Sequence, residues 1–264
     1  MSQNHSPFRP RDPGEAGRAV EPRLHVYGPG AVCDTEARGH AAPRDLSPAE
    51  LVVDATQGFV PLWAEHTTLR WRYQQRSLGF FAEPDAATAA LTGLLGEAIL
   101  RWGPAAPVRF TRDDDAWDFE IAVRDVDRCS AAGCVLASAF FPDAGRHELV
   151  IYPRLFSQSE EEQVETLIHE LGHVFGLRHF FALVRESAWP AQVFGTHDRF
   201  TIMNYGSESR LTNADLTDLT HLYEEAWSGR LTAVNGTRIR LVRPFNASGA
   251  SLEELVAVGS LHAR

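Results

Sequence analysis

Thr166–His179 reads TLIHELGHVFGLRH, and within it H-E-x-x-H-x-x-G-x-x-H falls at His169, Glu170, His173, Gly176 and His179. Residues four apart on a helix lie one turn above each other on a single face, so His169 and His173 would present two imidazoles to one point. Glycine enters the left-handed conformation without a Cβ penalty. Gly176 would therefore end the helix and turn the chain, bringing His179 to the same point. Three neutral imidazoles with a fourth position open are the donor set of a catalytic zinc ion. Glu170, beside a ligand but not needed as one, is placed to take a proton from a water that the metal acidifies. The bland alternative is three core or surface histidines on an ordinary helix. Upstream, Ser159-Glu160-Glu161-Glu162 forms a capping box, with acids at the positive end of the predicted helix. Val164, Leu167, Ile168, Leu171 and Phe175 give it a core face, and that face fixes the rotation that aims His169 and His173 into a cleft.

A second stretch, Thr201-Ile202-Met203-Asn204-Tyr205, holds one of only two methionines in the chain, the other being Met1. Together the two stretches resemble the metzincin metallopeptidases, and the resemblance extends from about Thr67 to Trp227. It implies an α+β, zincin-like fold: a twisted, mostly parallel sheet with an antiparallel edge strand, an active-site helix and a C-terminal helix. It implies a zinc endopeptidase with one catalytic Zn2+ held by His169, His173 and His179, and Glu170 as general base and then general acid. Met203 would be the Met-turn residue that floors the metal site. Tyr205 stands where matrixins usually have proline and where astacins and serralysins have a tyrosine that supports the tetrahedral intermediate; a packed turn tyrosine is the alternative. Val135, Leu136, Ala137, Ser138 and Ala139 would form the edge strand that pairs with an extended peptide substrate. Ser138 replaces a histidine that often holds a structural zinc in matrixins, so no zinc of that type is expected. His197 is a rival for third ligand. A domain that keeps its metal but binds peptides on the edge strand without cutting them is the alternative function.

Upstream of the helix, Leu69, Trp71 and Tyr73 alternate as in a strand. Leu91, Leu94, Leu95, Ala98, Ile99 and Trp102 are spaced as an amphipathic helix that Gly103-Pro104 stops, and strands follow at Val108–Phe110, Phe119–Val123 and Glu148–Tyr152. Asp113-Asp114-Asp115 could offer oxygens to calcium but reads better as a solvated loop. Cys129 and Cys134 could close a disulfide or stay reduced, according to compartment. Downstream, Thr212–Asp215 caps a last helix carrying Leu216, Leu219, Leu222 and Tyr223, and Leu231–Val242 reads as a hairpin around Asn235-Gly236. Ser251–Val258 could add a short helix.

The chain has 264 residues and a formal charge of −10, and all 25 of its basic residues are arginine. That balance argues against nucleic acid or an anionic membrane as partner; a protein or peptide substrate and a monomeric state are expected. Residues 1–60, rich in Pro, Gly and Arg, read as an extended or disordered leader and candidate pro-segment, residues 61–229 as the catalytic domain, and residues 230–264 as a tail. Cys33 or Asp34 could occupy the open position of the metal and keep the enzyme latent. No secretory signal and no run of 18 apolar residues is seen, which points to the cytoplasm unless the chain leaves by another route. Sequons at Asn4, Asn235 and Asn246 matter only if it does.

Overall fold

The computed structural model describes residues 6–10, 31–32, 51–55, 58–130, 133–179, 191–194, 201–204 and 209–247. Cys33, Asp34, His197, Tyr205 and the segment 251–258 lie outside them.

Strands β1 (Ala31–Val32), β2 (Leu51–Asp54), β3 (Val60–Trp63) and β4 (Thr68–Tyr73) lead into one turn of helix, α1 (Gln75–Leu78), and the long helix α2 (Pro84–Trp102). Next come β5 (Arg109–Arg112), β6 (Phe119–Val123), β7 (Arg128–Ser130), β8 (Gly133–Val135), β9 (Ala137–Ser138) and β10 (His147–Ile151). Helix α3 (Glu160–Val174), β11 (Ala191–Phe194), α4 (Asn213–Trp227), β12 (Ala233–Val234) and β13 (Thr237–Val242) complete the order.

The mixed α and β architecture is built on a five-stranded sheet of order β5-β4-β6-β10-β9. Its first four strands run parallel, and β9 at the edge is antiparallel to β10. Leu69, Trp71 and Tyr73 of β4 point into the core. The intervening residues start a polar ladder on the opposite face: Arg72 Nε donates to Glu120 Oε1 at 2.9 Å, and Glu148 accepts from Gln74 Nε2 at 3.0 Å and Arg124 at 2.8 Å. Helix α2 begins with Pro84, whose fixed φ suits the first turn, and ends at Gly103 with φ +52°. It packs on α3, and the buried Trp102 indole donates to the Ile168 carbonyl at 3.0 Å.

The run Val135–Ala139 is not one edge strand, contrary to expectation. Val135 ends β8, which pairs with β7 on one side and with the leader strand β1 on the other. Only Ala137 and Ser138 pair with β10, opposite Ile151 and Val150. Leu136 lies between: its side chain enters the core and its carbonyl accepts the Tyr152 N–H at 2.9 Å. Cys129 stands opposite Cys134 in the β7–β8 hairpin and a disulfide joins them. An apolar run without alternation carries no mark of where the chain leaves one sheet for another, which is why the split was not legible.

Strand pairing crosses the compositional boundaries at residues 60 and 229. Leader strand β2 pairs antiparallel with β11, and its Val53 bridges Leu177. Phe8 stacks on Phe156 with ring centroids 4.6 Å apart. Tail strand β13 runs parallel to β3, Ile239 opposite Val60 and Val242 opposite Trp63, after a turn in which Asn235 and Gly236 have φ of 46° and 85°. No helix among the described residues is long and apolar enough to cross a membrane.

Candidate metal centre

Helix α3 starts on the predicted capping box: Ser159 Oγ accepts the Glu162 N–H at 3.3 Å, and Glu162 Oε2 accepts the Ser159 N–H at 3.0 Å. Its C-terminus meets every exposed carbonyl of the last turn. Gly176, φ +89°, donates to the His173 carbonyl at 2.8 Å and Leu177 to the Gly172 carbonyl at 2.9 Å, a Schellman turn. The next two carbonyls, which a helix end leaves orphaned, are taken by side chains from distant parts of the chain. Trp63 Nε1 donates to Val174 at 2.7 Å, and the Tyr223 hydroxyl donates to Phe175 at 3.0 Å. The helix is therefore held in place by β3 and by α4 as well as by its own apolar stripe.

The Schellman turn reverses the chain so that His179 faces the helix. His169 Nε2 lies 3.1 Å from His179 Nε2 and 3.2 Å from His173 Nε2, and the three residues form the one group of metal-donor side chains of this kind among the described residues. His169 Nδ1 is 2.7 Å from the Ile202 carbonyl and His173 Nδ1 is 2.8 Å from the Leu177 carbonyl. A carbonyl oxygen only accepts, so each Nδ1 carries the proton and each Nε2 its lone pair. Lone pairs this close repel unless a cation lies among them. Nitrogens about 2.0–2.1 Å from a tetrahedral ion are roughly 3.3 Å apart, so the observed separations suit such an ion. The donor set fits a divalent metal that favours imidazole, with His169, His173 and His179 holding it. All three, with Glu170, are 1% exposed or less. Phe141 packs edge-on against His173, ring centroids 5.5 Å apart.

Met203 lies buried beneath the helix, where a Cβ added to Gly172 would be 2.4 Å from its Sδ. Its turn is fixed by Asp215, at the start of α4. One oxygen of Asp215 accepts from the Thr212 N–H and hydroxyl, both at 2.8 Å, and the other accepts from the Thr201 hydroxyl. Burial holds the Asp215 carboxyl above its ordinary range, an effect that donors from Thr201, Thr212 and Ile202 offset only in part.

Tyr205, Cys33, Asp34 and His197 have no described position to set beside this centre. Ser138 is buried in β9, opposite Val150. In the acidic loop, Asp113 Oδ1 accepts the N–H groups of Asp115 and Ala116 at 3.1 and 2.9 Å; these bonds hold its carboxyl below the usual range and turn it toward its own loop. Four supports of the centre escape sequence reasoning: Gly172, Thr201, Trp63, and the second oxygen of Asp215. Only Asp215 left a signal, as part of a capping box, and a cap does not say where the remaining oxygen points.

No protein-family model and no curated protein matches the chain in sequence. Among 93 solved chains with which it shares structural similarity is myroilysin, 13% identical, covering 65% of this chain and 98% of that one with a TM-score of 0.42. Another is the GM1-bound form of the ECX AB5 holotoxin, also 13% identical, covering 74% of this chain and 83% of that one with a TM-score of 0.39.

Proposed function

We propose that this chain is a zinc-dependent endopeptidase of the metzincin type. The observation that carries it is the trio of Nε2 atoms converging from His169, His173 and His179, two of them with Nδ1 on backbone carbonyls. Zinc held there would polarise the scissile carbonyl and acidify a water. The chain's own groups do the rest. Glu170, one residue from a ligand, takes the proton of the attacking water and passes it to the amine nitrogen as the C–N bond breaks. An extended protein or peptide substrate lies along the edge strand at Ala137 and Ser138, held by backbone pairing that asks little of its sequence. Phe141, against His173, forms an apolar wall of the cleft. Tyr205 donates its phenol to the developing oxyanion, and Met203 floors the site. Calcium has no part in this scheme, and the enzyme works as a monomer.

The burial of all four central side chains favours a second reading for the full-length chain, a closed form of the same peptidase. Cys33 or Asp34 in the leader is the proposed latency ligand.

The test is mass spectrometry of zinc-loaded full-length protein incubated with denatured casein, beside its Glu170→Gln form. Fragments that need Glu170, with zinc bound equally by both proteins, support the peptidase. Bound zinc with no fragments from either protein favours the closed or idle domain. Loss of zinc from Glu170→Gln would make Glu170 a ligand or a folding residue.

A further inference from the structure

We infer that Thr201 and Asp215 are positioning residues for the metal ligand His169, acting through a hydrogen-bond relay that crosses a single peptide group. The inference rests on the reading of His169 as a ligand. From the imidazole outward, His169 Nδ1–H donates to the Ile202 carbonyl at 2.7 Å. The same peptide unit ends in the Met203 N–H, which donates to Thr201 Oγ1 at 3.2 Å. The Thr201 hydroxyl in turn donates to Asp215 Oδ1.

Chemistry fixes the direction of every step. A carbonyl can only accept and an amide N–H can only donate, so the threonine oxygen must take the Met203 proton and give its own to the carboxylate. Amide resonance joins the two ends of the Ile202–Met203 peptide. Accepting the N–H at one end strengthens the carbonyl as acceptor at the other, as in any polarised chain of hydrogen bonds. His169, Thr201, Met203 and Asp215 are all buried, so water does not screen the relay.

Helix capping alone leaves half of this arrangement unexplained. The Asp215 oxygen that serves Thr212 completes the α4 capping box. The other oxygen reaches out of the helix into the Met203 turn. Metal-ligating histidines are commonly backed by a carboxylate that holds the ring and raises its basicity. Here the carboxylate stands three hydrogen bonds and one peptide behind the ring. The relay holds His169 in the tautomer whose Nε2 lone pair faces His173 and His179.

The experiment measures zinc affinity of the purified full-length chain by competition with a chromogenic chelator, for wild type, Thr201→Val, Thr201→Ser and Asp215→Asn. Thr201→Val, nearly the same shape without the hydroxyl, and Asp215→Asn should each weaken zinc about 10- to 100-fold, while Thr201→Ser should stay within about threefold of wild type. In the cobalt-loaded protein, the exchangeable Nδ1–H resonance of His169 should shift in Thr201→Val and hold its place in Thr201→Ser, a change that general loosening would not sort by hydroxyl. If Asp215→Asn does not fold, the threonine pair decides alone. Wild-type affinity in Thr201→Val, or a serine variant as weak as the valine one, overturns the relay while leaving the metal site intact. Failure of the wild-type chain to bind zinc or cobalt overturns the metal site itself.

Discussion

Met203 rests directly on the backbone of Gly172. A Cβ at that glycine would lie 2.4 Å from the methionine Sδ and 3.2 Å from its Cε, with Trp102 Cζ2 3.6 Å away. Gly172 falls between His169 and His173 on α3, so only a residue without a side chain lets the thioether lie under both. Gly172→Ala should drive Met203 away and carry Ile202, the partner of His169 Nδ1, with it. Overpacking of this kind costs about 1–3 kcal/mol. Met203→Ala in the same chain should make room and recover part of the loss. A double-mutant cycle on denaturant midpoints and zinc affinity reads the coupling; strictly additive losses would mean that the two residues do not constrain each other.

Trp63 and Tyr223 hold the end of the helix from opposite ends of the chain. Trp63 Nε1 donates to Val174 and its carbonyl accepts from Trp227 Nε1 at 2.9 Å, while Tyr223 donates to Phe175. Trp63→Phe and Tyr223→Phe keep most of the apolar volume but leave buried carbonyls unpaired, at a cost of about 1–3 kcal/mol each. Chemical denaturation tests this. Losses within error of zero would show that water reaches the helix end.

The two buried tyrosines should set the alkaline limit of stability. Burial raises both Tyr73 and Tyr223 above the ordinary value of 10.0, against the pull of a hydrogen bond from Thr92 in one case and the Trp63 N–H in the other. The unfolded phenols ionise first, so above their ordinary value the unfolded chain binds fewer protons than the folded one. Stability is therefore complete below about pH 10 and falls as pH rises through the folded values. The chain has no lysine to titrate in the same window. Denaturant midpoints from about pH 8 to about pH 11 should decline, and Tyr223→Phe should flatten the slope. An unchanged slope in that variant would remove Tyr223 from the account.

The legible parts of this molecule are those whose cause is local. The spacing of His169, His173, Gly176 and His179, the capping box at Ser159 and the stripe from Val164 to Phe175 each specify their geometry within a few turns of helix. The alternation of Leu69, Trp71 and Tyr73 did the same for β4. Supports of the centre that were not legible join residues far apart in the chain: Trp63 with Val174, Gly172 with Met203, Thr201 with Asp215. None of these side chains is unusual for its local element, so nothing nearby marks its partner. The apolar run from Val135 to Ala139 failed for another reason, since without alternation it fits a buried strand in either of two sheets. In the leader, composition suggested little order for Leu51–Asp54, but that strand pairs with β11. In the tail, the hairpin around Asn235-Gly236 was legible, whereas the pairing of its second strand with β3 was not.

Asp118 should prove to be a latch for the tail. Its carboxylate is buried, and one oxygen accepts the backbone and side-chain N–H groups of Asn246 at 2.9 and 3.0 Å while the other accepts the Arg70 N–H at 2.8 Å. Charged acceptors make bonds of about 1.5–3 kcal/mol, so Asp118→Asn should cost more than Asn246→Ala. Limited proteolysis should also cut sooner after β13 in Asp118→Asn. Equal resistance in variant and wild type would show that β13, paired with β3, holds the tail without Asp118.

Metal removal should destabilise the fold as a whole, because the donors converge only in the folded chain. His169 and His173 come from α3, His179 from beyond the Schellman turn, and Ile202, which orients His169, from the turn before α4. An ion present at about 1,000 times its dissociation constant stabilises such a site by roughly 4 kcal/mol. A strong chelator should therefore lower the unfolding temperature, and zinc should restore it. His179→Ala should unfold near the temperature of the chelated wild type and respond little to either reagent. A chelated protein shown to have lost its zinc, yet melting where the loaded one does, would mean that the ion binds the unfolded chain as well as the folded one. The convergence of the three imidazoles would then contribute nothing to stability.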